Sequence, residues 1–183
     1  PNRESIMKYL IHQKFNNCSL STWKAMFDSK ASVRATFVKG EVNGIVGENE
    51  VMTYSEVVDF EAAKAHANEP EIKSHIETIG ETTDLYELYE INSNETGGLF
   101  FAHFTFENES PEEWISTWKN DSKKLTKNEK YAIVDDNNVL ALFESHATER
   151  DIENHLNRPE VRDHIDKVNE QFKAWTAVKS PKI

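Results

Sequence analysis

The feature that most constrains the fold of this chain is an internal repeat. Residues 12–23 align without a gap on residues 103–114, with five identities in twelve positions. Residues 66–76 align on residues 155–165, with six identities in eleven. The two matches run in the same order, whereas unrelated segments agree at about one position in fifteen to twenty. The chain of 183 residues is therefore a tandem duplication, and one kind of fold must serve both halves.

Both halves show the same order of predicted elements. Each begins with a strand, at 7–15 and 99–106, and a serine suited to cap a helix follows, Ser19 and Ser110. The later elements are predicted as strands or helices by residue type and periodicity: strands 37–46, 51–58 and 84–91 with helix 59–79, and strands 130–135, 139–145 and 171–178 with helix 148–168. This order, β-α-β-β-α-β, is that of a ferredoxin-like unit.

The two repeats are predicted to meet at a polar, glycine-ended joint. We place the first repeat at 1–91, the linker at 92–98 and the second repeat at 99–183. The long helix of each repeat contains the sequence N-x-P-E, with its proline at Pro70 or Pro159. Proline lacks the amide hydrogen of a helical residue, so each of these helices is expected to break in two or to kink.

A ferredoxin-like sheet carries both helices on one face and leaves the other face to be covered. Alternate side chains of strand 99–106 separate the two faces. One row is fully apolar and suited to lie beneath the helices: Phe100, Ala102, Phe104 and Phe106. The other row is mixed: Phe101, His103 and Thr105. Two such sheets packed bare face to bare face would enclose a lumen, so we predict the α+β class with two tandem ferredoxin-like units packed sheet to sheet.

The order of elements and two loose motifs resemble a known superfamily. The motifs are the serine-capped tryptophan helices S-L-S-T-W and S-P-E-E-W and the late helices reading P-E-[IV]-[KR]-x-H-I. Together they resemble the dimeric α/β-barrel superfamily, which includes antibiotic-biosynthesis-monooxygenase-like and stress-responsive barrel proteins. The resemblance covers nearly the whole chain and implies a pseudo-dimeric α/β barrel within one chain. That group includes cofactor-free oxygenases, isomerases and haem-binding enzymes, and the chain shows no catalytic signature of any one branch.

The first candidate site consists of two histidines that the repeat relates. Strand alternation places His12 and His103 on the lumen side, together with Leu10 and Phe101. An imidazole there fits a general base, a haem ligand or a polar anchor. It equally fits a histidine that forms a hydrogen bond within a mixed core.

The second candidate site is a carboxylate beside a histidine. Glu144 and His146 lie two apart on a strand and share one face, which is an arrangement of a catalytic base and also of a merely structural pair. The other repeated histidines lie on apolar helical stripes and are predicted to be packed border residues: His66, His75, His155 and His164.

Composition restricts the partners of the protein. The net charge of −11 opposes binding to nucleic acid or to an anionic membrane, and no apolar run is long enough to span a bilayer. No secretion signal is recognisable, and Cys18 is a single cysteine, so we predict a cytoplasmic protein. No pattern predicts a metal site or a cofactor. The predicted partner is a small apolar or aromatic molecule, and the predicted state is a monomer or a weak homodimer.

Three functional hypotheses follow. The first is a small-molecule-binding protein, stress-associated or accessory, with a partly apolar lumen lined by Leu10, His12, Phe101 and His103. The second is a cofactor-free monooxygenase- or isomerase-like enzyme that acts on a small aromatic or polyketide-like substrate. Its catalytic residues would be His103, or His146 with Glu144. The third is a haem-binding protein with His12 or His103 as the axial ligand.

Overall fold

The structure is a computed structural model that describes residues 6–92, 94 and 97–181. Its contacts divide the chain into two compact units. One comprises the residues up to Leu88 with those from Lys179 onward, and the other comprises Tyr89–Val178. Of the linker predicted at 92–98, residues 93, 95 and 96 lie outside the described residues.

The first unit has the predicted order of elements and one short additional helix. Its elements are β1 (Met7–Lys14), α1 (Leu20–Ser29), α2 (Ala31–Arg34), β2 (Val38–Gly47), β3 (Glu50–Val57), α3 (Phe60–Ala67), α4 (Pro70–Ile79) and β4 (Thr82–Tyr89). The strands pair antiparallel in the order β4-β1-β3-β2. Trp23 of α1 and Ile79 of α4 pack with Phe15, so these helices cover one face of the sheet.

The second unit repeats this arrangement. Its elements are β5 (Gly98–Thr105), α5 (Pro111–Ser122), β6 (Thr126–Asp135), β7 (Asn138–Ser145), α6 (Glu149–Leu156), α7 (Pro159–Lys167) and β8 (Gln171–Lys179). The strands pair antiparallel in the order β8-β5-β7-β6. The predicted α+β class and the two tandem ferredoxin-like units are therefore confirmed.

Short-range signals position the helix ends as predicted. The hydroxyl of Ser19 accepts a hydrogen bond from the amide of Thr22 at 3.1 Å, and that of Ser110 accepts one from the amide of Glu113 at 3.1 Å. Pro70 and Pro159 each begin a new helix, so both long helices break in two at this point. Among the described residues, no helix is both long enough and apolar enough to cross a membrane.

The apolar row of β5 builds the core of the second unit. Trp114 of α5 has no exposed surface, and its ring lies 4.7 Å from that of Phe104 and 5.2 Å, nearly parallel, from that of Phe106. Trp118 packs edge-on against Phe104 at 5.6 Å. The row predicted to lie beneath the helices therefore does so.

The start of β6 differs from its prediction. The strand begins at Thr126 rather than at 130, because its register shifts between Lys127 and Lys130 around Asn128, which has a positive φ of 54°. This bulge interrupts the alternation by which a strand is recognised.

We expect Trp114→Ala to lower the free energy of unfolding by about 3–5 kcal/mol, because it removes a fully buried ring and leaves a cavity. The measurement is equilibrium unfolding in urea. Val33→Ala on α2 serves as the control, since Val33 is 41% exposed and should cost less than about 1 kcal/mol. A loss for Trp114→Ala no larger than that of the control would contradict the central role of this ring.

Candidate functional site

The two histidines of the first candidate site contact residues at equivalent positions of the two units. The contacted side chains differ in chemistry. His12 is 5% exposed, and its Nε2 lies 2.5 Å from Oε2 of Glu50, the first residue of β3. Nε2 of half-buried His103 donates to Oδ1 of Asn138, the first residue of β7, at 2.9 Å. The first unit thus pairs its histidine with a carboxylate and the second with a neutral amide. An axial bond to haem iron would need the same nitrogen, so the two rings do not fit a haem as they are placed.

The apolar residues predicted to line a lumen are completely buried. Leu10 and Phe101 have no exposed surface. The ring of Phe101 stacks on Trp175 of β8 at 5.7 Å, on the sheet face opposite Phe100 and Phe104. In this structure these side chains offer no surface to a ligand, and their part in binding stays a prediction.

The second candidate site is not held together by a direct contact. Oε2 of Glu144 accepts a hydrogen bond from Nδ2 of Asn128 at 2.6 Å, through the β6 bulge. His146 follows β7 and is exposed. Within the described part of the chain, no hydrogen bond joins Glu144 to His146, and the catalytic role predicted for them remains a prediction.

The second unit contains a cavity of about 480 Å³ that sequence reasoning did not predict. It lies between the helix-facing side of the sheet and helices α5, α6 and α7. Its walls are mainly apolar and aromatic: Phe100, Phe104, Trp118, Phe143, Ile165 and Phe172. None of the residues predicted for a site from the sequence lines it.

Two alanines explain why space remains above this sheet. Ala102 of β5 and Ala174 of β8 are direct cross-strand partners and both line the cavity. The equivalent pair in the first unit is Ile11 and Leu85, which also lie opposite each other. The second unit therefore has two methyl groups where the first has two branched four-carbon side chains.

One end of the cavity is polar, and its polar groups are organised around a histidine. Nε2 of His164 lies 2.6 Å from Oε1 of Glu109, and both side chains are largely buried. Beside them, Nε1 of Trp114 donates to Oε1 of Glu170 at 2.6 Å. Burial raises the pKa of the Glu170 carboxyl, and the bond from Trp114 and the nearby His164 partly oppose this. His164 and Glu170 both line the cavity.

The first unit contains only part of this arrangement. Nε1 of Trp23 donates to Oε1 of Glu81 at 3.1 Å, and burial raises the pKa of that carboxyl too. Glu81 also receives a hydrogen bond from Gln13. In the alignment, Phe104 replaces that glutamine in the second unit, and Glu109 stands where the first unit has Cys18. The tryptophan–glutamate pair is thus common to both units, whereas the Glu109–His164 pair belongs to the second.

Part of this site leaves a signal in the sequence. His164 is half-buried, as predicted for a border residue, but its partner Glu109 lies 55 residues away and was not expected. Glutamates at 81 and 170 follow the two P-E-[IV]-[KR]-x-H-I motifs at the same distance and are themselves a repeat signal. Within the described residues, no three histidine, cysteine or acidic side chains come together as a metal site.

Comparison with known proteins gives likeness of fold alone. No family model matches the chain. No curated protein matches it. Among solved structures, it is similar to a provisionally named monooxygenase from Fusobacterium nucleatum, with 10% identity over 98% of this chain and 100% of that one and a TM-score of 0.36. A second provisionally named monooxygenase, from Lactobacillus acidophilus, has 9% identity over 96% and 100% and a TM-score of 0.32.

An anthrone oxidase-like protein is similar at 10% identity, over 98% of this chain and 95% of that one, with a TM-score of 0.32. At such identities and TM-scores, however, the likeness identifies no reaction, substrate or catalytic residue.

We expect the free energy of unfolding of Glu170→Gln, relative to that of the parent chain, to increase as the pH rises. The folded-state pKa of Glu170 is raised above its ordinary value of 4.5, so the folded state holds this proton more tightly than the unfolded state does. The parent therefore loses stability as pH rises from about 4.5 through the folded-state pKa. Glutamine keeps an oxygen for the Trp114 indole and has no such loss.

The measurement is urea unfolding of both proteins at several pH values between about 4.5 and 7. Glu107→Gln, which alters an exposed carboxyl near the same strand, is the control for the substitution itself. A Glu170→Gln difference that stays constant or shrinks with rising pH would contradict a folded-state pKa of Glu170 that burial has raised.

Proposed function

We propose that the second unit binds a small, largely apolar molecule in the cavity between its sheet and its helices. The observation that carries this proposal is the cavity itself, which is walled by aromatic side chains and lined by a few polar groups, among them His164 with its bond to Glu109. Ligand sites in proteins are typically concave, mainly apolar and about 300–1,000 Å³ in volume, with few polar groups to orient the ligand. The cavity of about 480 Å³ has each of these properties.

The difference between the two units supports the same proposal. A vacant apolar space costs stability, because the side chains around it lose packing contacts. The first unit has the larger side chains Ile11 and Leu85 at the positions where the second unit has Ala102 and Ala174. A ligand that fills the space would recover the missing contacts.

We expect the double variant Ala102→Ile/Ala174→Leu to weaken binding of N-phenyl-1-naphthylamine at least tenfold. These substitutions give the second unit the side chains of the first and fill the floor of the cavity. The measurement is a fluorescence titration, since this neutral probe becomes brighter in apolar surroundings.

The control is Ala65→Leu, which adds the same side chain at an exposed position on α3 and should leave the affinity unchanged. Circular dichroism shows whether each variant is folded. If the parent does not bind the probe, or if the filled variant binds it as tightly as the parent, the cavity is not the binding site.

A second candidate function is proton transfer on the bound molecule, and the Glu109–His164 pair favours it. A carboxylate that accepts the Nε2 proton leaves Nδ1 of His164 as the basic nitrogen. That nitrogen would take a proton from a C–H beside a carbonyl group, and the electron pair would move to the carbonyl oxygen. The resulting negative charge lies unfavourably among the carboxylates of the cavity, so we place binding before catalysis.

Hydrogen exchange of 2-tetralone in D₂O, followed by NMR, tests this second function. Catalysed deuterium uptake beside the carbonyl group should fall at least a hundredfold in His164→Gln and persist in His75→Gln, the equivalent change in the first unit. Uptake at the same rate with and without the parent protein would rule out this reaction for this substrate.

A further inference from the structure

The charged side chains of the cavity are all of one sign. Four carboxylates line it: Asp121, Glu149, Glu153 and Glu170. Its other titratable side chains are the two imidazoles of His155 and His164. Among the described residues that line the cavity, there is no lysine and no arginine. A ligand of this cavity therefore meets four carboxyl groups, and the basic groups beside them are two imidazoles.

Glu170 is the carboxylate that lies deepest in protein, and its charge is incompletely balanced. It faces His164 from α7, Asp121 from α5 and Glu109 from the loop before α5. Glu109 already binds the imidazole of His164. Even when that ring is protonated, it carries one positive charge against the two charges of Glu109 and Glu170.

The hydrogen bonds of Glu170 are also incomplete in comparison with its repeat counterpart. Glu81 accepts from both Trp23 and Gln13, whereas Glu170 accepts from Trp114, and Phe104 occupies the place of the glutamine. A carboxylate has room for several donors. In the second unit, the residue aligned with that glutamine is an aromatic one that lines the cavity and has no amide to donate.

The aromatic walls suit a cation as well as an apolar molecule. The faces of aromatic rings carry partial negative charge and attract ammonium groups, most strongly when water is excluded. Trp118 lies 5.6 Å from Phe104 and 5.4 Å from Phe143, so several rings surround the same space. Among the described lining residues, an anionic ligand would find no lysine or arginine, and the ring faces would repel it.

Basic side chains do occur nearby, but they lie outside this cavity. Lys123, Lys124 and Arg158 line a neighbouring depression on the other side of Asp121. The guanidinium of Arg158 is paired with Glu160 and also donates to the backbone oxygen of Asp121 at 3.3 Å. These groups weaken the field of Asp121. Glu170 does not line that depression, and the basic side chain that faces it is the imidazole of His164.

We propose that the ligand of this cavity is a lipophilic amine, protonated at neutral pH, whose apolar part packs among the aromatic rings and whose ammonium group donates a hydrogen bond to Glu170. This inference rests on the function proposed above and adds the chemical class of the ligand. The ammonium group supplies both the missing donor and the missing counter-charge.

Three naphthalene derivatives of similar size test this assignment. They are 2-(1-naphthyl)ethylamine, a cation at pH 7, the neutral 2-(1-naphthyl)ethanol and the anion 1-naphthylacetate. Isothermal titration calorimetry on the full chain should give at least tenfold tighter binding of the amine than of the alcohol, and the weakest binding for the acetate. Glu170→Gln should weaken the amine about tenfold and leave the alcohol within about twofold.

Glu81→Gln is the matched control, since it alters the equivalent tryptophan-bound carboxyl in the unit where no such ligand is proposed. It should leave the preference for the amine unchanged. Retention of the full preference in Glu170→Gln would overturn the placement of the ammonium group. If that variant does not fold, the three parent affinities still decide the ligand class.

Equal binding of the three compounds, or a preference for the acetate, would overturn the amine proposal and leave the cavity standing as a site for small apolar molecules. Failure of all three compounds and of N-phenyl-1-naphthylamine to bind would overturn both proposals together. The two failures are therefore distinguishable in one set of titrations.

Discussion

Each unit depends on one tryptophan that joins three parts of the fold. In the second unit, the ring of Trp114 packs on the first strand through Phe104 and Phe106, and its indole nitrogen donates to Glu170 immediately before the last strand. The side chain thus ties α5, β5 and the start of β8 together. Burial of the accepting carboxyl is unfavourable, and a short hydrogen bond from a fixed donor offsets part of that cost.

The same tie exists in the first unit, where Trp23 stacks on Phe15 and donates to Glu81. Because both units contain this tryptophan–glutamate pair, its common role is structural, and it is part of the duplicated sequence. The units then differ around it. Ile11 stands above one sheet where Ala102 stands above the other, and Ala102 lines the cavity of the second unit. The duplicated frame therefore carries larger side chains in one copy and smaller ones in the other.

Much of this fold is predictable from local signals. The repeat identifies equivalent elements, the serine caps locate α1 and α5, and the alternation in β5 shows which row lies beneath the helices. Those signals act over a few residues and are governed by sterics and by backbone hydrogen bonds. The prediction missed the first four residues of β6, 126–129, because the bulge at Asn128 breaks the alternation on which strand prediction relies.

The candidate site was beyond such signals for a different reason. The floor of the cavity is formed by Ala102 and Ala174, which are 72 residues apart in sequence and meet through strand pairing. An alanine on a strand is unremarkable until its neighbour across the sheet is known to be small as well. His103 and His146 are candidates in the sequence because histidine is a residue type that often takes part in catalysis. The structure gives one an amide partner and leaves the other exposed.

The exchange of a single neighbour changes what the buried glutamate is able to do. In the first unit, Gln13 gives Glu81 a second hydrogen-bond donor, so two protein side chains donate to this carboxyl. In the second unit, Phe104 takes that position and contributes a ring face instead of an amide. The remaining acceptor capacity of Glu170 then adjoins an apolar cavity, where an unsatisfied polar group is most costly. A donor that arrives with a bound molecule would relieve this cost, and a positively charged donor would relieve it most.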